Sequence, residues 1–310
     1  MTFLSKPFAV ALLSAGLLGA GQQPAPFSAK TSLVVVPVVA IDSKGATVHG
    51  LTQQDFQVFE DGRPVEVQTF LAPNGDAVTG EEGRFIVIAL DNLFTPAEIG
   101  FRVKAIAKRL VDKIGPRDVM SVISLNGGKA VSTSSKAELM AAINRFTPMF
   151  GDDTFVAGNK ATHGLKMIGA LSDQVAQSSH RRKVIVYIGN AALFNPSQPS
   201  ALADRGNDTS PEWNEAIRIT SRNNVSIYSI DPSGLEGGVG DWSQSFSEQT
   251  GGHTWSGTNN YGSAVDRIWQ ESASYYLLGY AAPINDQRLH KIEVKIAKQG
   301  VTVRARKARG

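Results

Sequence analysis

Hydrophobic and polar positions change their period along the chain, and each change marks a different kind of element. The run Ser32 to Asp42, SLVVVPVVAID, is rich in β-branched residues and reads as a strand. Pro37 inside it predicts an edge position, because proline donates no hydrogen bond to a ladder. Leu51 to Phe70 alternates apolar and polar residues around Glu60-Asp61-Gly62-Arg63, and Asp-Gly between alternating runs predicts a hairpin. From Arg84 onward the alternation disappears. FIVIAL (85–90), VMSVISL (119–125), VIVYI (184–188) and VSIYSI (225–230) are short and almost wholly apolar, as strands of a parallel sheet covered on both faces are.

Between those runs the spacing becomes helical. Ile99, Val103, Ile106, Leu110 and Ile114 recur at steps of three and four, as do Ala161, Leu165, Ile168 and Val175. A third helix is expected at Ser210-Pro211-Glu212, and a fourth from about Ser263 to Ala273. Strand and helix in alternation predict a doubly wound, mostly parallel α/β fold with right-handed crossovers. After Ala273 the pattern returns to β in SYYLLGY, LHKIEVKIA and VTVRARK, the last two separated by Lys298-Gln299-Gly300. With β-content at both ends, the expected organisation is an N-terminal β part (32–75), an α/β domain (84–274), and C-terminal strands (275–308). The last pair with the first in a small antiparallel subdomain.

The N-terminus reads as an address. Lys6 supplies a positive charge, Phe8 to Ala20 is a short apolar run, and small residues follow, so residues 1–21 are expected to be a signal peptide and 22–31 a linker. That run is too short to span a bilayer, and no later segment is suited to it. The protein is therefore expected to be exported, periplasmic or secreted. Cysteine is absent, which removes disulfides, thiolate zinc sites and Cys nucleophiles. A net charge of +3 gives no field strong enough to suggest nucleic acid. The one basic run, His290 to Arg309, is interleaved with Val and Ile at strand spacing and reads as a solvated strand face.

Ligands of open parallel sheets bind beyond the carboxyl ends of the strands, which here carry Asp91, Asn126, Gly189-Asn190 and Asp231. The order strand, ALDNLFTP, amphipathic helix resembles the entry to a von Willebrand factor type A domain. The flanks GLTQQDFQVFEDGRPVEVQTF and SYYLLGYAAP…LHKIEVKIAKQGVTVRARK are similar to the bacterial VWFA-related family described from acidobacteria. The resemblance implies a metal site with the pattern Asp-x-Ser-x-Ser, a threonine in a second loop and an acid in a third. Residue by residue, Asp91 matches the aspartate, Thr95 stands for the second serine and Thr154 for the loop threonine. Leu93 replaces the first serine and Gly189 falls where the acid belongs, so the site is degenerate and no cofactor beyond weakly held Mg²⁺ is expected. A hard cation wants several oxygen ligands, and Leu93 offers none. Asp152 and Asp153 are turn acids able to supply oxygens.

Each surviving residue also has a structural reading. Asp91 can simply receive backbone N–H groups at the sheet switch point, and Thr95-Pro96-Ala97-Glu98 is a capping box. Enzyme motifs are poorer. Asp91-x-x-x-Thr95 echoes the haloacid-dehalogenase phosphotransferases, but Leu93 stands where the second acid belongs, and Lys160 and Asp231 are loose candidates for its partners. There is no G-x-S-x-G elbow, Walker A run or dinucleotide fingerprint. The five histidines stand far apart and read as surface or capping residues; the four tryptophans read as core or loop anchors. The function expected is a non-enzymatic module whose loop face, with long loops at 190–210 and 231–241, holds a protein partner. The alternatives are a phosphotransferase-like enzyme at Asp91 and a purely structural envelope component.

Overall fold

A computed structural model describes residues 31–72, 83–148, 157–189, 210–236, 246–283 and 288–310. The apolar runs form the heart of a six-stranded sheet: β5 (Arg84–Leu90), β6 (Val119–Ser124), β7 (Val131–Thr133), β8 (Arg182–Ile188), β9 (Val225–Ile230) and β10 (Thr254–Trp255). Their spatial order is β10-β9-β8-β5-β6-β7, and every pairing is parallel except that of the edge strand β7 with β6. Successive side chains of a strand point to opposite faces. Ile86, Ile88, Leu90, Val184, Val186 and Ile188 therefore pack with helices α1 (Gly100–Asp112), α2 (Lys136–Asn144) and α5 (Tyr261–Ala273). Val87, Ala89, Ile185 and Tyr187 pack on the other face with α3 (Ala157–Ala176) and α4 (Ser210–Arg222). Both faces are covered, which is why the strand sequences do not alternate.

The terminal strands pair as a two-sheet sandwich. One sheet has the order β13-β1-β11-β4 and the other β14-β12-β2-β3, with β1 (Thr31–Asp42), β2 (Phe56–Glu60), β3 (Arg63–Val65), β4 (Thr69–Leu71), β11 (Tyr276–Pro283), β12 (His290–Ile296), β13 (Val301–Ala305) and β14 (Ala308–Arg309). Val34, Val36, Val38 and Ala40 of β1 meet Phe56 and Val58 of β2 and Tyr276, Leu278 and Tyr280 of β11 in the core between the sheets. At roughly 1.5–3 kcal/mol for each fully buried large apolar side chain, this layer is a second core in its own right.

Several expectations need correction. β1 is an interior strand, not an edge: it pairs with β11 over Thr31–Val38 and with β13 over Val38–Asp42. Pro37 is tolerated because β13 reaches only to Val38, leaving a single neighbour there. Residues 298–300 join β12 to β13 across the sandwich, into opposite sheets. The basic tail is a solvated face only in part: Lys291, Lys295 and Lys307 are exposed, whereas His290, Arg306 and Arg309 are buried. Arg309 donates to both oxygens of Glu60, at 2.7 and 3.1 Å, and Arg306 donates to the Ser221 carbonyl at the end of α4. His290 is likewise neither surface nor cap: its Nδ1 lies 2.8 Å from Asp61. Arg306 thus ties the sandwich to the α/β layer, while Arg309 and His290 brace the sandwich itself.

The contacts to the sandwich fall at the amino ends of the parallel strands. Arg182, at the start of β8, donates to Ser226 Oγ and Tyr228 Oη and lies over the Tyr275 ring. Arg304 of β13 pairs with buried Glu271 of α5. That end of the sheet is filled, and the carboxyl end is left for the loops.

Candidate functional site

Sheet order decides where a ligand crevice falls. Chain order along the sheet reverses between β5 and β8, the topological switch point of a doubly wound fold. Asp91 follows β5 there, its N–H donating to Ile188 O at 3.0 Å. The carboxylate is fully buried. Its Oδ1 accepts the N–H groups of Leu93 (2.9 Å) and Phe94 (3.0 Å), and its Oδ2 accepts the Tyr187 hydroxyl at 2.7 Å. Of roughly four lone-pair directions on a carboxylate, three are taken. Burial pushes the Asp91 pKa up to about 6, against the pull of those hydrogen bonds and of the Lys160 charge. Burial and the facing Asp91 charge also raise the Tyr187 phenol well above its ordinary value.

The neighbours of Asp91 also have structural roles. Leu93 is buried with Val87, Ala89, Leu125 and Leu165 on the α3/α4 face, so this position supplies core packing. Thr95 is fully buried and its Oγ1 has no hydrogen-bond partner among the described residues. It is not the N-cap expected: Pro96 holds that position before a 3-10 turn at Ala97–Ile99, no side chain caps the turn, and α1 begins only at Gly100. Gly189 stands against Asp91. A Cβ at residue 189 would lie 2.1 Å from Asp91 Cβ and 2.6 Å from Oδ2, so the glycine is required by close approach. An aspartate there would have no room, and Gly189→Asp is not a route to a restored metal site. Thr154, Asp152, Asp153, Asn190 and the 190–209 loop lie outside the described residues. Among the described residues no three His, Asp or Glu side chains converge as metal ligands.

The loop after β9 is fastened beside this centre. Asp231 is buried and accepts the Ser233 N–H at 2.8 Å. Arg102, in the first turn of α1, donates to the carbonyls of Pro232 and Ser233, and Tyr261 Oη donates to Pro232 O at 2.9 Å. Gly234, at φ 73, packs against Arg102 and Asn259. Phe101 and Leu235 are 67% and 73% exposed, Phe101 next to Arg102 in the first turn of α1 and Leu235 in the segment that Arg102 fastens. Asp231 was legible in the sequence. Tyr187, Arg102, Phe101 and Leu235 were not singled out, although a tyrosine one residue before the end of a wholly apolar strand is a usable signal for a partner at the switch point.

No family model matches the chain, and no curated protein matches it. Among solved structures, an aerotolerance-related membrane protein from Bacteroides fragilis is similar at 16% identity and TM-score 0.43, over 61% of this chain and 98% of that one. Manganese-loaded TRAP protein from Plasmodium vivax is similar at 11% identity and TM-score 0.39, over 81% and 97%. The SpRpn10 VWA domain is similar at 15% identity and TM-score 0.29, over 48% and 74%. The chain is a doubly wound α/β protein. That statement stands on its own strand order and pairings; at such identities and TM-scores the neighbours say nothing about activity or partner.

Proposed function

We propose that the chain is an exported, non-enzymatic binding module of von Willebrand factor A-like architecture, whose loop face holds a protein partner without a bridging metal. The observation that carries this reading is the pair Phe101 and Leu235. Isolated exposed apolar residues are ordinary, but two large ones on segments that Arg102 ties to each other, at the ligand end of a rigid sheet, suit an interface anchor. Arg102 beneath them lowers the ordering cost of binding, because the loop is already held.

The metal-free part of the proposal is supported by the donors at Asp91. Among the described residues, one lone-pair direction of a buried carboxylate and one buried hydroxyl, Thr95 Oγ1, fall well short of an octahedral shell. The same crowding argues against Asp91 as a nucleophile, which would have to reach a substrate from full burial while holding three hydrogen bonds. Export rests on the Lys6 charge and the Phe8 to Ala20 run, outside the described residues; among the described residues no helix is long and apolar enough to cross a membrane. The test is capture from envelope extract by the wild type and by a Phe101→Ser, Leu235→Ser variant, with Mg²⁺ and with chelator. The wild type should retain the same protein in both conditions and the variant should lose it. Release by chelator would overturn the metal-free mode, and undiminished capture by the variant would overturn the loop-face site.

A further inference from the structure

A cleft of about 430 Å³ opens on the far side of Asp91 from Leu235, between the turn after β6 and the end of α2. Val122, Ala142 and Phe146 wall it, and Asn92, Lys129 and Arg145 supply its polar groups. Among the described residues no acidic side chain lines it. Both cations are exposed, and among the described residues neither side chain has a hydrogen-bonding or acidic partner. Asn92 Oδ1 accepts the Asn126 N–H at 2.9 Å, which fixes the amide and leaves its NH₂ group as the unused end. Gly127 and Gly128 pass the rim at φ 89 and 120, conformations suited to glycine, and a Cβ at either would meet nothing within 4 Å. The rim is therefore low and open.

We propose that this cleft receives an acidic side chain, Asp or Glu, of the protein partner, with Lys129 and Arg145 pairing its carboxylate and Asn92 donating the amide N–H. The assignment rests on the loop-face reading above and specifies its partner. Two like charges at one cleft, with no acid among the described lining residues, are complementary to an anion brought from outside. A guanidinium offers a carboxylate two parallel donors. The apolar wall then discriminates: it gains from the methylene stem of an amino-acid side chain and gains nothing from inorganic phosphate.

Amide NMR titration of the whole protein tests this with the blocked peptide N-acetyl-Ala-Phe-Glu-Ala-amide, its Gln counterpart, and inorganic phosphate. The Glu peptide should shift the amides of Asn92, Asn126 to Lys129 and Arg145 saturably. The Gln peptide should not, and the exposed double change Lys129→Glu, Arg145→Glu should weaken binding at least tenfold. Equal shifts by the Gln peptide, shifts confined to the His290–Arg309 tail, or phosphate saturating at lower concentration than the Glu peptide would each overturn the proposal. The two readings separate in the capture assay. A partner lost by Phe101→Ser, Leu235→Ser but held undiminished by Lys129→Glu, Arg145→Glu sinks the cleft alone. Glu-peptide binding at the cleft, with capture indifferent to Phe101 and Leu235, sinks the loop-face anchor and leaves the cleft standing.

Discussion

Replacing Asp91 by asparagine removes one buried charge and almost nothing else. The asparagine carbonyl can still accept from Leu93 and Phe94, and its NH₂ can donate to the Tyr187 oxygen. In the wild type burial raises the Asp91 pKa from 3.8 to about 6. In that interval the unfolded chain has released its proton while the folded chain holds it, so stability falls as pH rises. The contribution of Asp91 is complete below the unfolded value and lost by the time pH has passed the folded one. At about 1.4 kcal/mol per pH unit, the interval from 3.8 to about 6 amounts to about 3 kcal/mol. Urea unfolding of wild type and Asp91→Asn at pH 3.5 and pH 7.5 measures it, provided the m-values agree. The other carboxylates cancel in the comparison. Between those pH values the stability difference should move by about 3 kcal/mol in favour of Asp91→Asn. A constant difference would refute the buried-acid account, and movement in the opposite direction would mean that a counter-charge, such as a bound cation, holds Asp91 ionised.

Gly189→Ala should cost about 3 kcal/mol in chemical unfolding, toward the upper end for overpacking, because the new Cβ meets backbone-anchored Asp91 Cβ at 2.1 Å rather than a movable side-chain tip; a loss below 0.5 kcal/mol would show that the two strand ends separate freely. Arg309→Ala takes the bidentate partner from the half-buried carboxylate of Glu60, which keeps the Tyr280 hydroxyl, and should cost about 2 kcal/mol. Hydrogen exchange should then show faster opening of β12 and β14, and unchanged protection there would place the tail outside the cooperative unit.

The parallel strands were legible because burial on both faces leaves no room for polar residues, so FIVIAL, VIVYI and VSIYSI stand out without alternation. The Asp61-Gly62 turn was legible for a different reason: φ values of 50 and 77 at its two residues demand that chemistry. Helix α2 was missed although Ser135 and Glu138 carry an N-cap signal, with Glu138 N–H donating to Ser135 Oγ. Its nine residues bury only Leu139 and Ile143, too few for a periodicity to register. The buried tail arginines were misread because strand alternation tells which residues share a face, not whether a second layer covers it. Arg306 and Arg309 meet Ser221 and Glu60, partners 85 and 249 residues away in the chain, and no local pattern encodes those meetings.

The neighbourhood of Asp91 shows the same limit at closer range. A motif comparison asks whether a position carries an oxygen, and on that question Leu93 is merely a missing ligand. In the folded chain it is a core residue, packed with Val87, Leu125 and Leu165, and the turn that would have aimed a serine into the crevice aims a leucine under it. Gly189 is likewise more than a lost acid, since its bare Cα lets the ends of β5 and β8 close on the Asp91 carboxylate. Tyr187 then supplies from below the neutral donor that a buried acid needs. The side chains of Leu93 and Tyr187 and the bare Cα of Gly189 thus pack around Asp91 and anchor it at the switch point. The proposed recognition then falls to the surface around this anchor, to Phe101 and Leu235 and to the cationic cleft of Lys129 and Arg145.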